Sequence, residues 1–240
     1  AIAALGGDVS LAAQVGKDPF GKHLVDVMHS FGVDTTWMLM DENYFTTLAF
    51  VSLMENGERD FYFNRGADGQ LSLDAIKGIG KEEYAIVHFG SATAFLSGPL
   101  QAAYKDLLDK VAGAETFISF DPNYRHLLYQ DKLQSFIDQS WVFLDRCHFF
   151  KLSDEEAMLL TEKNNLEEAT IALQARTKGI FAITLGKDGT LLRHGAHTEI
   201  IPSISVKPVD TTGAGDAFVG AVLYQLSQLD RDSLTDLPLP

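Results

Sequence analysis

A short apolar run followed by an amphipathic helix, repeated along the chain, most limits what this sequence can fold into. Tyr84 to Phe89 precedes a helical pattern over Pro99 to Val111, and Thr116 to Phe120 precedes one over Lys132 to Leu144. His148 to Leu152 precedes Asp154 to Leu160, and Ile180 to Leu185 is the last apolar run of this kind. Nearer the start, Val9 to Val15 reads as a strand. Asp18 to Phe31 then reads as a helix, with Phe20, Leu24, Val25, Met28 and Phe31 at helical spacing. Strands that are apolar throughout are buried on both faces, so their alternation with helices predicts an α/β domain with a covered, parallel sheet.

Thr35 to Arg65 breaks this rhythm. Trp37 to Met40, Thr47 to Met54 and Asp60 to Phe63 read as strands, and Asn56-Gly57 between the last two is a hairpin turn signal. Residues 34–66 are therefore read as a β-rich lid, with 1–33 and 67–240 as the core. A lid excludes water from a reaction that water would spoil. The plainer alternative is an edge hairpin that extends the main sheet.

Composition removes several function classes. Length, 240 residues, suits one large domain or two small ones. Acids outnumber bases 33 to 19, for a net charge of −14, which argues against nucleic-acid and anionic-membrane partners. A small anion such as a nucleotide needs only a few local groups and stays open. No apolar stretch reaches the length of a membrane span. The single cysteine, Cys147, forms no internal disulfide and fits a reducing compartment, the cytoplasm. It starts an apolar run, where a buried, inert thiol is expected. Cys147-His148 and the pair His194 and His197 lack further ligands at metal spacing. Trp37 and Trp141 are read as packing residues. Ala1 to Gly7 reads as the last turns of a helix closed by glycine, and Asp232 to Thr235 as the start of a further element. The expectation is a chain truncated, or incompletely resolved, at both ends.

The most informative stretch is Val209-Asp210-Thr211-Thr212-Gly213-Ala214-Gly215-Asp216-Ala217-Phe218. Polar residues and two glycines lead into the helical stripe Ala217, Phe218, Ala221, Val222 and Leu226. Gly213 to Asp216 thus open a helix, where exposed N–H groups and the dipole attract an anion and glycine lets backbone approach it. Asp216 beside a phosphate costs repulsion unless it has work to do. General base for a hydroxyl attacking a phosphoryl group is such work. The plainer reading makes Asp210, Thr211 and Thr212 cap and turn residues and Asp216 a complement to the dipole. A dinucleotide fingerprint fails because Phe218 stands at its third glycine. A Walker A loop fails because Gly186-Lys187 is followed by Asp188 and has no glycine five positions before.

That stretch resembles the C-terminal signature of the ribokinase-like (PfkB) carbohydrate kinases, in particular bacterial fructokinases. Supporting segments are Val15 to Gly21, Asn64 to Ala67, Phe120 to Arg125, Lys151 to Glu156 and Thr184 to Gly189. The resemblance implies a ribokinase-like three-layer sandwich with a mostly parallel central sheet and a small β lid. It implies transfer of the γ-phosphoryl of ATP to a sugar hydroxyl, with fructose as the expected acceptor. The alternatives are a ribokinase-like nucleoside or aminoimidazole riboside kinase and, from another class, a non-catalytic sugar-binding relative. By the same resemblance Asp216 is the base and touches the sugar, while Gly213, Ala214 and Gly215 form the anion hole. Mg2+ bridges the nucleotide phosphates, and a monovalent cation, K+, sits near Asp210.

Other residues follow from position as well as resemblance. Ser153 and Glu156 have capping-box spacing, and the family places Asn-x-x-Glu here. Ser153 stands for the Asn, and Glu156 keeps the acid that holds a magnesium-bound water. Lys151, Thr184 and Gly186 are candidate nucleotide contacts, although a turn after the strand Ile180 to Leu185 also explains the last two. Gly90 and Arg125 follow apolar runs, at the strand ends where open α/β sheets hold ligands. Arg125 offers a forked contact to a sugar or phosphate oxygen, or is a surface arginine on a turn. Arg65, at the foot of the lid, contacts sugar or pairs with an acid. The exposed lid sheet offers a face for a homodimer.

Overall fold

The computed structural model describes residues 1–53, 59–79, 84–113, 116–207, 210–230 and 233–234. They group into two units. The first comprises Ala1–Glu82, Thr93–Leu107 and Arg125–Asp131, and the second Glu83–Ala92, Leu108–Tyr124 and Lys132–Pro240.

In the first unit β1 (Ala13–Gly16) lies parallel to β2 (Met38–Asp41), with Ala13 opposite Met38. Helix α1 (Pro19–Ser30) connects them. Its start is fixed chemically. Asp18 caps it by accepting the Gly21 N–H at 2.9 Å, and Pro19 stands in the first turn, where its missing N–H costs nothing. The same carboxylate accepts the Thr46 N–H at 2.7 Å. A Cβ on Gly16 would collide with Thr46 and Asp18, and one on Gly21 with the Gly16 carbonyl, so the close approach requires both glycines. The strand expected over Val9 to Val15 begins later, at Ala13, and Ser10 makes only a single bridge to Asp34. Ala3–Leu5 is one 3-10 turn ending on Gly6 at φ 90°, the glycine closure expected there.

Strands β3 (Leu48–Leu53) and β4 (Arg59–Asn64) form a separate antiparallel ribbon, with Leu48 opposite Asn64. Within the stretch 34–66, β2 thus pairs with β1 and the ribbon comprises β3 and β4 alone. The Asn56-Gly57 turn lies outside the described residues. Phe50 and Tyr62 face each other across the ribbon and are exposed.

The second unit is built on one six-stranded sheet in the order β10-β9-β8-β7-β6-β5. Strands β5 (Ile86–Gly90), β6 (Phe117–Asp121), β7 (Phe149–Ser153) and β8 (Ile180–Thr184) are mutually parallel. β9 (Thr190–His194) and β10 (His197–Ile201) add an antiparallel edge, which the sequence reading omitted. Every residue of β6 is buried, Ser119 and Asp121 included, as befits a central strand of a covered sheet. Helix α2 (Pro99–Ala112) has its last turns in this unit, and the four-residue α3 (His126–Tyr129) belongs to the first. Helices α4 (Leu133–Leu144), α5 (Asp154–Thr161), α6 (Leu166–Arg176) and α7 (Ala214–Ser227) follow. Phe150 and Phe181 stack at 5.1 Å between neighbouring strands, and Phe120 meets Phe143 of α4 at 5.0 Å. Fully buried Leu144, Leu160 and Leu173 bring α4, α5 and α6 into the core. Among the described residues no helix is long and apolar enough to cross a membrane.

Candidate active site

The informative stretch opens α7. Gly213 is its N-cap at φ 76°, a left-handed conformation that favours glycine. Gly213 O accepts the Ala217 N–H at 2.8 Å, and the Ala214 N–H turns back to Thr211 O at 3.1 Å. The Ala214 N–H is thus engaged within the turn. The first-turn N–H groups of Gly215 and Asp216 meet no acceptor among the described residues. The Asp216 side chain is exposed at this turn. Asp210 accepts the Thr212 N–H at 2.8 Å and shapes the approach to it.

A buried charge cluster stands beside that turn. Lys151, on the otherwise apolar β7, is 7% exposed, and its Nζ lies 3.4 Å from where a Cβ on Gly215 would sit. Nζ is 3.5 Å from Asp121 Oδ2 and 3.9 Å from Glu156 Oε2. Burial pushes the Asp121 carboxyl up to about 6, with the Lys151 ammonium working against that rise. Asp121 ends β6. Its Oδ1 accepts the Asn123 N–H at 3.1 Å, and Asn123 takes φ 49°. Ser91 fixes the same turn by donating from Oγ to Pro122 O at 2.5 Å.

Glu156 is a structural organiser first. The expected capping box is present: Ser153 Oγ accepts the Glu156 N–H at 3.1 Å, and Glu156 Oε2 accepts the Ser153 N–H at 2.8 Å. Glu156 Oε1 also accepts the Tyr124 N–H at 2.7 Å, tying α5 to the Asp121-Pro122-Asn123-Tyr124 turn. A carboxylate has about four acceptor positions, so capacity for a metal-bound water remains. Among the described residues no three acidic, histidine or cysteine side chains form a direct metal cage. This donor set fits Mg2+, which keeps several waters and takes its other ligands from phosphate.

The remaining expected positions divide between the units. Gly90 ends β5 opposite Asp121, with open space where its Cβ would be. Thr184 ends β8 opposite Ser153 and donates from Oγ1 to Leu152 O at 3.2 Å, and Gly186 follows at φ 59°. These share the second unit with Lys151, Glu156 and Asp216. Arg65 and Arg125 belong to the first. Arg65 donates to Ser97 O at 2.9 Å and Thr93 O at 3.2 Å and pairs with Asp68 at 3.5 Å. Its fork therefore holds the 93–97 loop. Asp121 is the site residue that sequence reasoning passed over. Its signal was a charged residue at the end of a fully apolar run.

Residues 1–237 match the pfkB family carbohydrate kinase pattern. The chain belongs to that family. It is an ATP-dependent carbohydrate kinase with the ribokinase-like α/β fold. Fructokinase-1 of Oryza sativa subsp. japonica is 33% identical over 98% of this chain and 73% of its own length. Among solved structures, the fructokinase of Vibrio cholerae O395, with fructose, ADP and calcium ion bound, has a TM-score of 0.84. It is 28% identical, covering 95% of this chain and 74% of that one. The aminoimidazole riboside kinase of Salmonella enterica, with aminoimidazole riboside and an ATP analogue, has a TM-score of 0.79. It is 25% identical over 98% of this chain and 77% of that one.

Proposed function

We propose that the chain phosphorylates fructose with ATP, Asp216 acting as the general base. The observation that carries this reading is the opening turn of α7, an exposed carboxylate beside N–H groups with no acceptor among the described residues and with the Lys151 ammonium alongside. Asp216 takes the proton of the attacking sugar hydroxyl, whose oxygen bonds to the γ-phosphorus as the bond to the β-phosphate oxygen breaks, leaving ADP. The Gly213 to Gly215 turn, through the Gly215 N–H and that of Asp216, receives the charge on the transferred phosphoryl. Lys151 meets nucleotide phosphate. Thr184 and Gly186 are the proposed nucleotide contacts and Gly90 a proposed sugar contact, while Arg125, in the first unit, is proposed to contact sugar by resemblance alone. Arg65 enters as the residue that holds the 93–97 loop.

Mg2+ is the metal this donor set suits, held by phosphate oxygens and by waters on Glu156. When bound it neutralises charge on the nucleotide phosphates. K+ near Asp210, a lid built from the β3–β4 ribbon, a homodimer through its exposed Phe50 and Tyr62, and a cytoplasmic location complete the reading. The fructokinase relatives support fructose. The likeness to the aminoimidazole riboside kinase supports a riboside as the second acceptor to try. ADP release is measured with ATP and Mg2+ across fructose, ribose, glucose, tagatose and nucleosides. Turnover strongest with fructose is expected. Turnover with a nucleoside alone moves the assignment to a riboside kinase, and none with any acceptor leaves a sugar-binding relative.

A further inference from the structure

Asp121 is a buried charge that the reaction, as described, does not use. It is 4% exposed, and Lys151 is the basic side chain at its oxygen. Charge counting shows it to be in excess. Asp121 and Glu156 surround the single ammonium of Lys151, so removing Asp121 would leave a balanced pair, Lys151 and Glu156. A group of this kind subtracts from stability and is tolerated where it serves activity.

Geometry says what it serves. Lys151 has three N–H donors, and its carboxylate contacts lie at 3.5 and 3.9 Å, so neither is a tight bond. Both Glu156 oxygens already hold backbone N–H groups. Asp121 itself is fixed by the Asn123 N–H, and its backbone carbonyl accepts the Ser91 N–H at 3.1 Å. A rigid carboxylate therefore guides a long, flexible side chain whose tip lies against Gly215.

We propose that Asp121 is a positioning residue for phosphoryl transfer, its carboxylate holding the Lys151 ammonium at the first turn of α7 to meet nucleotide phosphate. The proposal rests on the kinase reading above. Without Asp121, the lysine regains rotamer freedom and Glu156 becomes its one described carboxylate partner.

The test compares Asp121→Asn, Lys151→Met and the double variant in the full chain. Calorimetry measures binding of a non-hydrolysable ATP analogue with Mg2+, alongside steady-state kinetics and thermal unfolding. For Asp121→Asn, a Tm equal to or above wild type is expected. Analogue affinity and kcat/KM for ATP should fall ~10–100-fold, the usual loss for an outer positioning partner. The KM for fructose should stay unchanged. The double variant should be no weaker than Lys151→Met alone, the mark of one residue acting through the other. Wild-type nucleotide binding in Asp121→Asn overturns the proposal. So do a drop in Tm with all parameters declining together, and losses that multiply in the double variant. A wild-type chain that binds the analogue but phosphorylates no sugar defeats the proposed function, and the calorimetric arm still decides the role of Asp121.

Discussion

Replacing Asp216 with Asn separates the catalytic and structural readings of the α7 turn, because the two predict effects of different size. The side chain is exposed in the first turn of a 14-residue helix, so the near-isosteric amide disturbs no packing. Its structural share is the attraction of a carboxylate to the helix N-terminus, about 0.3–1 kcal/mol. For a chain of this size that moves Tm by no more than about 4 °C. Loss of a general base costs ~10²–10⁴ in turnover, roughly 3–5 kcal/mol at about 1.36 kcal/mol per decade. Catalysis should therefore lose several times more free energy than folding does. The assay is ADP release at saturating ATP and fructose, paired with thermal unfolding of the same sample. We expect kcat to fall at least about a hundredfold while both KM values hold, since proton abstraction acts in the transition state. A folded Asp216→Asn protein with kcat within about tenfold of wild type would refute the role of the base.

Gly189→Ala should destabilise by at least about 2 kcal/mol in urea unfolding, because φ is 107° and the new Cβ would collide with the Ile201 carbonyl oxygen. Trp141→Phe should cost roughly 1–2 kcal/mol in the same assay, since it leaves the buried Leu160 carbonyl without the indole N–H that reaches it at 2.9 Å. His148 gives a pH signature. Its Nδ1 accepts the Ile118 N–H at 2.8 Å, which needs the unprotonated ring, and burial lowers its pKa below 6.5. The unfolded chain then binds the proton first as pH falls. Stability from this contact is complete above pH 6.5 and is lost as pH drops through the unfolded and then the folded value. Melting temperatures from pH 7.5 to 5 should fall less steeply in His148→Gln than in wild type.

The parallel part of the sheet was legible because its strands are predominantly apolar. Phe117-Ile118-Ser119-Phe120 carries one small polar residue among three large apolar ones, too little to form a face for water, so it had to lie inside. The antiparallel edge was not legible for the converse reason. Every residue of β10 is exposed, and its two isoleucines are solvent-facing, so no burial pattern marks it as a strand. Helix α6 was missed because it buries mostly small residues, Ala169 and Thr170 besides Leu173, and exposes Ile171. Its cap could have found it: Asn165 accepts the Glu168 N–H at 2.9 Å, a start signal independent of any apolar stripe.

The site divides along a similar line, between what adjacent residues decide and what distant ones supply. Gly213 to Asp216 could be placed from sequence because a helix start is a local event. The Lys151–Asp121 pair joins residues 30 apart and depends on β6 and β7 being neighbours, with Ser119 opposite Phe149. Lysine inside Phe149-Phe150-Lys151-Leu152 was still a signal, since an ammonium is almost never buried without a partner. Arg65 shows that charge alone leaves the role of a basic residue open. Arg65 was read as a sugar contact or the partner of an acid, and Lys151 as a nucleotide contact; Arg65 meets two loop carbonyls and Asp68, whereas Lys151 lies 3.5 and 3.9 Å from its two carboxylates. A guanidinium has five N–H groups, so Arg65 keeps donors beyond these three contacts, yet swinging its fork to a phosphate would cost it the loop bonds. An ammonium restrained by charge, with no tight bond, can turn to a phosphate at little cost, so under the proposed function Lys151 is the readier of the two to meet nucleotide.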